Sequence, residues 1–170
     1  MARRAVAKRK HATNPKPSVP AEMNAAVIDE FGPPSALESR QMPVPRPGSG
    51  EVLIALSAAG VGSWDAKIRD GSWAEGDVEF PLIIGVDGAG TIAEIGEGVR
   101  RFHVGDRVWA YQFESPKGGF YAEYVVVDSD RVGSLPRGLT LREGGAAAAT
   151  GLTALQGVVD HLKLERGETV

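Results

Sequence analysis

Groups that could do chemistry are sparse in this 170-residue chain. It has no cysteine, which removes disulfides, thiolate nucleophiles and thiolate zinc sites. The three histidines, His11, His103 and His161, show no spacing that would place two imidazoles on one metal. The acidic residues are dispersed, whereas a hard cation needs several converging oxygens. The sequence therefore predicts no metal centre built by this chain alone.

One segment satisfies a nucleotide-binding pattern literally. Gly88-Ala89-Gly90-Thr91-Ile92-Ala93 has the form G-x-G-x-x-A and follows an apolar run at 81–86. The phosphate-binding mechanism requires a helix that opens at the glycines and points its amides at the pyrophosphate. Here the glycines lead into a short β-rich run that ends in a turn at Gly96. We therefore expect a strand whose glycines allow bending and close backbone approach.

The composition is that of an ordinary globular chain, with 42% apolar and 24% charged residues. Its apolar stretches are shorter than the roughly 20 residues that cross a bilayer, so we expect no membrane partner. Residues 1–22 carry six Lys and Arg residues and a single acid, Glu22, which predicts a disordered tail. A mitochondrial presequence and a nucleic-acid patch are alternatives, but one basic cluster without aromatics gives little support to a nucleic-acid partner. Without an apolar export signal, a cytoplasmic location is expected.

Periodicity and turn residues predict the elements that position any site. Short strands are expected at 25–28, 37–41, 51–59, 81–86, 91–95, 107–111 and 121–127. A short helix is expected over 64–70, with Ser63 as its N-cap. An apolar stripe within 141–162 predicts a C-terminal helix, whose many Gly and Ala residues favour close packing against a backbone or a ligand. The fold class is therefore mainly β with short helices, arranged as a mainly antiparallel barrel.

A series of motifs runs along the ordered chain, at 23–32, 45–54, 60–71, 81–90, 104–108, 119–125, 145–154 and 167–170. Taken in this order, they resemble the N-terminal domain of the medium-chain dehydrogenase/reductase superfamily, in its zinc-independent quinone oxidoreductase branch. The resemblance implies a GroES-like, partly open antiparallel barrel. It also identifies the C-terminal helix as a linker helix that passes beside the nicotinamide.

The resemblance implies that both zinc positions of this half are lost. Segment 60–71 is similar to the stretch that carries the first zinc ligand in the family's alcohol dehydrogenases, and the ligand cysteine falls on Gly62. Segment 81–90 resembles their Gly-His-Glu segment, with Val86 in the histidine position and Asp87 in the acidic one. We therefore expect no zinc.

A structural role is expected for Asp87. A buried carboxylate in a Gly-rich bend is usually retained for hydrogen bonds to backbone amides or to an arginine. Arg69 and Arg107 are the candidate arginines.

The resemblance also implies a reaction, the transfer of a hydride from NADPH to a quinone or an activated enone. Without a metal, the protein must mainly orient the two reactants. The candidate residues are Ser63, Asp65 and Lys67 for catalysis, Gly62, Thr150 and Thr153 for the cofactor, and Trp73 for the substrate. For Asp65, an alternative to a role in catalysis is to accept hydrogen bonds from nearby backbone amides. For Thr150 and Thr153, an alternative to cofactor binding is packing within the helix.

The end of the chain, Gly167-Glu168-Thr169-Val170, resembles the start of the family's first nucleotide-fold strand. This implies a tail at 1–22, a GroES-like domain at 23–140, and at 141–170 a linker helix with the first residues of an α/β doubly wound Rossmann domain. We expect a truncated substrate-side domain that is inactive alone and, in a full-length form, compatible with a homodimer. A free-standing GroES-like interaction module and a non-functional gene remnant are the alternatives.

Overall fold

Two antiparallel sheets form the core of the computed structural model, which describes residues 18–73, 78–113, 115 and 117–169. The strands are β1 Glu22–Ile28, β2 Glu38–Pro43, β3 Glu51–Ala59, β4 Leu82–Ile83, β5 Asp87–Ile95, β6 Arg107–Tyr111, β7 Tyr124–Asp128 and β8 Val132–Ser134. The helices are α1 Ser63–Arg69 and α2 Leu141–Leu155. A three-stranded sheet has the order β2-β1-β4, and a five-stranded sheet has the order β7-β3-β5-β6-β8. This mainly β arrangement with short helices confirms the predicted fold class, a partly open antiparallel barrel.

Strand β3 shows how the sequence builds the core. Successive side chains of a strand point to opposite faces. Val52 and Ile54 join one apolar cluster, inside the five-stranded sheet, whereas Leu53 joins a second cluster that also holds Met23 and Val27 of β1. Both faces of β3 are buried at residues 52–54, which lie in its apolar run 52–56, and the predicted bounds of the strand agree with the structure.

The strand predicted at 81–86 is shorter than expected. Only Leu82 and Ile83 pair with β1, because the chain then turns at Gly85, whose φ of 94° lies in the left-handed region. The carbonyls of Ile84 and Gly85 accept hydrogen bonds from the amides of Tyr121 and Phe120 instead. A contact with a distant loop therefore replaces the sheet pairing that the local pattern predicted.

Strand β5 contains the glycines of the G-x-G-x-x-A pattern. Gly88 and Gly90 lie inside the strand, opposite Ala59 and Leu56 of β3, and no helix opens there. A Cβ on Gly90 would overlap the carbonyl of Ala55. The interpretation of these glycines as sites of close backbone approach is confirmed.

Helix α2 begins where the sequence predicted. Thr140 is its N-cap: its hydroxyl accepts the Glu143 amide at 3.2 Å, and the Glu143 carboxylate accepts the Thr140 amide at 2.7 Å. The helix packs on β3, β5 and β6 through its buried residues Gly144, Gly145, Ala148 and Ala149. After α2 the chain winds as a π-helix over Gln156–His161. No helix among the described residues is long and apolar enough to cross a membrane.

Two expectations at the chain ends can be compared with the structure. Most of the tail at 1–22 lies outside the described residues, and Glu22 already belongs to β1. The strand expected from 167 onward is not formed within the described residues. Residues 165–168 instead make a turn, in which the Glu165 amide donates to the Glu168 carboxylate at 2.7 Å and the Glu168 amide donates to the Glu165 carbonyl at 3.2 Å. Val170 lies outside the described residues.

Candidate functional site

A concave site of about 250 Å³ lies between α1, the segment that follows it, and α2. Aromatic and apolar side chains dominate its wall, and the polar groups of the lining residues are two hydroxyls, two indole N–H groups and one carboxamide. The lining residues are Trp64, Trp73, Val86, Tyr111, Phe113, Ala149, Leu152, Thr153 and Gln156. Such a wall suits a planar, mainly apolar molecule with a few polar groups.

The Trp73 ring of the site contacts one aromatic ring and one cationic group. The rings of Trp73 and Phe113 are 6.1 Å apart between centroids and tilted by 56°. The ammonium of Lys67 lies 4.6 Å from the centroid of the Trp73 ring, within cation–π range. Lys67 thus contacts a residue of the wall without lining the site itself.

The start of α1 places Trp64 in the wall. Gly62, and not Ser63, is the N-cap, because the Asp65 carboxylate accepts the Gly62 amide at 2.7 Å and so moves the cap one residue earlier. Ser63 is the first helical residue and is exposed. The ring of Trp64 lies against the Cα of Gly62, where any Cβ would overlap it.

Asp65 is buried behind this wall, with 3% of its surface exposed. Besides the Gly62 amide, its Oδ2 accepts the Tyr121 hydroxyl at 3.2 Å, which ties α1 to the loop before β7. Burial raises the pKa of Asp65, and the two hydrogen bonds oppose that rise. Burial and the neighbouring charge of Asp65 also raise the pKa of Tyr121.

Asp87 is the second buried carboxylate, with 2% of its surface exposed. Its Oδ2 accepts the backbone amide of Ala149 in α2 at 2.9 Å, which confirms the expectation of a backbone amide partner. The expected arginines have other partners: Arg69 donates to the Gly32 carbonyl and Arg107 to the Leu139 carbonyl. Burial raises the pKa of Asp87, the Ala149 amide opposes this, and the charge of Asp65 adds to the rise.

The structure brings together only part of the predicted set. Trp73 and Thr153 line the site, and the Thr153 hydroxyl donates to the Ala149 carbonyl at 2.9 Å, which leaves its lone pairs as acceptors. Of the others, Asp65 is buried behind the site, and Gly62, Ser63, Lys67 and Thr150 do not line it.

Sequence reasoning missed several wall residues. Ala149, Leu152 and Gln156 share the spacing i, i+3, i+4, i+7 with the predicted Thr153, from the end of α2 into the π-helix, so helical periodicity alone could have grouped these three with it on one face. The aromatic residues Trp64, Tyr111 and Phe113 come from separate parts of the chain, and no local signal joins them.

A larger hollow, of about 360 Å³, lies beside α2 over β6 and β8. It shares Tyr111 and Leu152 with the candidate site and is otherwise lined by Trp109, Arg131, Leu155 and their neighbours. It contains none of the residues that the sequence pointed to, so we place the candidate site at the smaller concavity.

No group of three or more His, Asp or Glu side chains in the described part of the chain is placed to hold a metal ion. Val86 presents an apolar side chain to the site, and Gly62 has no side chain at all. The residues at these two positions therefore do not fit zinc.

Comparison with known proteins agrees with the fold and the motifs. Residues 48–137 match the alcohol dehydrogenase GroES-like domain. The chain is 34% identical to the quinone oxidoreductase of Mus musculus over 149 residues, which are 87% of this chain and 44% of that protein. It is 31% identical to the alcohol dehydrogenase of Moraxella sp. (strain TAE123) over 160 residues, which cover 80% of this chain and 46% of that protein.

A solved structure shows the same similarity. A mycobacterial protein in complex with NADPH superposes with a TM-score of 0.75 at 32% identity, covering 86% of this chain and 42% of that one. The chain thus spans less than half the length of the relatives it matches. With its GroES-like barrel and the match over residues 48–137, the chain belongs to the alcohol dehydrogenase GroES-like domain family of the medium-chain dehydrogenase/reductase superfamily.

Proposed function

We propose that this chain is the substrate-side domain of a zinc-independent oxidoreductase that transfers a hydride from NADPH to a quinone or an activated enone. The observation that carries the proposal is the site between α1 and α2, where Trp64 and Trp73 provide flat walls and Val86, in the histidine position by family resemblance, presents an apolar group. The similarity to quinone oxidoreductases supports the acceptor class, and the similarity to a protein solved with NADPH supports the cofactor.

The α2 side of the site fits the nicotinamide end of such a cofactor. A carboxamide-bearing ring needs a flat apolar surface and a few hydrogen-bonding groups. Ala149 leaves room for a ring to approach, the Thr153 oxygen can accept, and the Gln156 carboxamide can both donate and accept. When bound, the reduced nicotinamide would supply the hydride.

The remaining wall residues would act on the acceptor. Trp64, Trp73 and Phe113 would orient a planar acceptor and exclude water, which fits a reaction governed by geometry. Ser63 at the start of α1 and Lys67 in its last turn are exposed, and they could contact polar groups of the acceptor beside Trp73. Asp65, which is buried behind the wall, would keep α1 in position through its hydrogen bonds.

Binding tests the proposal directly. The chain is titrated separately with reduced nicotinamide mononucleotide and with 1,4-benzoquinone while tryptophan fluorescence is recorded; its lack of cysteine removes thiol addition as a side reaction. We expect saturable quenching by both. Trp73→Leu should weaken binding about tenfold, as expected for losing a large aromatic contact.

The matched control is Trp109→Leu, since Trp109 lines the larger hollow. This variant should bind both probes as the parent chain does. Absence of saturable quenching, or equal weakening in the two variants, would refute the proposed site.

An interaction module is the second candidate, and one observation favours it. Leu155, Val158, Val159 and Leu162 are all exposed around the end of α2 and the π-helix that follows. Exposed apolar patches of this kind often mark association sites. Light scattering that finds a defined oligomer, together with no binding of either probe, would favour this function over the oxidoreductase.

A further inference from the structure

The burial of Asp87 is energetically unfavourable and calls for a compensating contact. Moving a carboxylate out of water costs free energy unless hydrogen bonds or a cation offset it. No salt bridge to Asp87 is present among the described residues, and its Oδ1 has no hydrogen-bond partner there. The Ala149 amide is the group that compensates its Oδ2.

The position of that amide is informative. Ala149 lies inside α2, where the usual acceptor of its N–H is the carbonyl four residues earlier, at Gly145. Asp87 therefore does not cap a helix end. Its carboxylate reaches into the helix ladder from β5, 62 residues away in sequence, and such an insertion fixes or bends a helix locally.

The surroundings leave room for this contact. A Cβ on Gly60 would overlap the Asp87 carboxylate, and the Gly60 amide donates to the Asp87 carbonyl at 2.9 Å. Gly145 lies against the backbone of Ala58, so α2 can approach β3 closely enough for Asp87 to reach it. Two glycines on separate elements thus leave the space in which the carboxylate meets the helix.

We propose that Asp87 is a positioning residue of the candidate site, which fixes the α2 wall at Ala149 opposite Trp64 and Trp73. Ala149 lines the site itself, and Thr153, whose hydroxyl donates to the Ala149 carbonyl, follows it one turn later. The identity of the bound molecule rests on the proposed function, but the placement of the wall does not.

The experiment combines amide hydrogen exchange by NMR with titration by reduced nicotinamide mononucleotide, on the whole chain. In Asp87→Ala we expect the Ala149 amide to exchange about ten to a hundred times faster, as for a lost hydrogen bond to a charged group. Binding of the probe should weaken about tenfold. Asp87→Asn keeps an acceptor oxygen and should restore most of both.

Asp106→Ala is the matched control, because its carboxylate accepts the His103 amide at 2.7 Å in a turn outside the candidate site. It should leave the exchange of α2 and the binding of the probe unchanged. If Asp87→Ala does not fold, Gly60→Ala perturbs the same carboxylate from its other side and should speed Ala149 exchange in the same way.

The outcomes separate the two proposals. Unchanged Ala149 exchange and unchanged binding in Asp87→Ala would overturn the positioning role while leaving the proposed function intact. Faster Ala149 exchange in a chain whose parent does not bind the probe would support the positioning of the wall and overturn the proposed ligand. Uniformly faster exchange across β3, β5 and α2 that Asp87→Asn does not restore would overturn the positioning role. It would show that Asp87 stabilises the whole fold and not the α2 wall in particular.

Discussion

The two halves of the C-terminal helical region differ in what holds them. Residues 141–149 begin with a capping box and bury Gly144, Gly145, Ala148 and Ala149 against the barrel. Residues 150–162 expose Leu152, Leu155, Val158, Val159 and Leu162 and pass from α-helix to π-helix at Gln156. The candidate site lies where the two halves meet. Small residues, rather than large apolar ones, therefore attach this helix to the barrel.

The largest expected effect comes from adding one methyl group to the buried half. In Gly145→Ala the new Cβ would lie 2.7 Å from the Ala58 Cβ and 2.8 Å from the Ala58 carbonyl oxygen. Because part of the obstacle is backbone, α2 and β3 must separate. We expect urea denaturation to show a loss of about 2–3 kcal/mol in the free energy of unfolding.

The same change from glycine to alanine in the exposed half should raise the free energy of unfolding instead of lowering it. Apart from the neighbouring backbone of its own helix, no described atom lies within 4 Å of a Cβ built on Gly157. Since alanine is the better helix former, Gly157→Ala should raise the free energy of unfolding by up to about 1 kcal/mol. If the two substitutions lowered the free energy of unfolding equally, the two halves would not differ in how they are packed.

The N-cap of α2 at Thr140 should have the next largest effect on stability. Thr140→Ala removes the hydroxyl that accepts the Glu143 amide, and we expect a loss of about 1 kcal/mol in the free energy of unfolding. Thr150→Ala is its control in the exposed half, where the side chain faces solvent, and should change stability by less than about 0.5 kcal/mol. Thermal and urea denaturation should rank the two variants alike, and a larger effect at Thr150 would contradict the comparison.

Asp87, whose carboxylate accepts the Ala149 amide in the buried half, predicts a pH dependence of the free energy of unfolding. Because the pKa of Asp87 is raised in the folded chain, the folded state binds a proton more readily than the unfolded state between the two pKa values. The stability that Asp87 contributes should therefore rise as the pH falls through this window and be lost again toward neutral pH.

The measurement compares the parent chain with Asp87→Asn by urea denaturation over a pH series. The parent should gain stability relative to the variant as the pH falls from neutral toward the ordinary range of aspartate. Carboxyls with lowered pKa values, such as Glu51 and Glu143, are common to both proteins and cancel in the difference. A difference that is independent of pH would show that Asp87 has the same pKa in both states.

The smallest effect on stability is expected in the exposed half. Leu155→Lys combined with Val159→Lys changes two side chains that are 60% and 53% exposed. The free energy of unfolding should change by less than about 0.5 kcal/mol. Any self-association seen by light scattering should decrease, because the apolar patch is interrupted. A large loss of stability would mean that this half is packed after all.

The sequence predicted those element bounds that depend on neighbouring residues in the chain. The bounds of β3 follow from an apolar run between turn residues, and the start of α2 at Leu141 follows from the apolar stripe after Thr140. The end of β4 was missed because Gly85 turns toward a loop that is distant in sequence.

The candidate site was predictable only in part for the same reason. Trp73 and Thr153 were expected from the family resemblance, and both line the site. Trp64 and Phe113 meet there only because the barrel brings α1 and the segment after β6 together. The partner of Asp87 is an amide, and a backbone group carries no signature in the sequence.

The contact between Gly62 and Trp64 sets the order in which this site could change during evolution. By family resemblance, Gly62 occupies the position of a zinc-ligating cysteine, but the indole of Trp64 fills the space that a cysteine Cβ would need. A mutation to cysteine at Gly62 alone would therefore damage α1 without creating a ligand. Trp64 would have to be replaced by a smaller residue first, so a cysteine at position 62 could be accommodated only through an intermediate that has lost one wall of the candidate site.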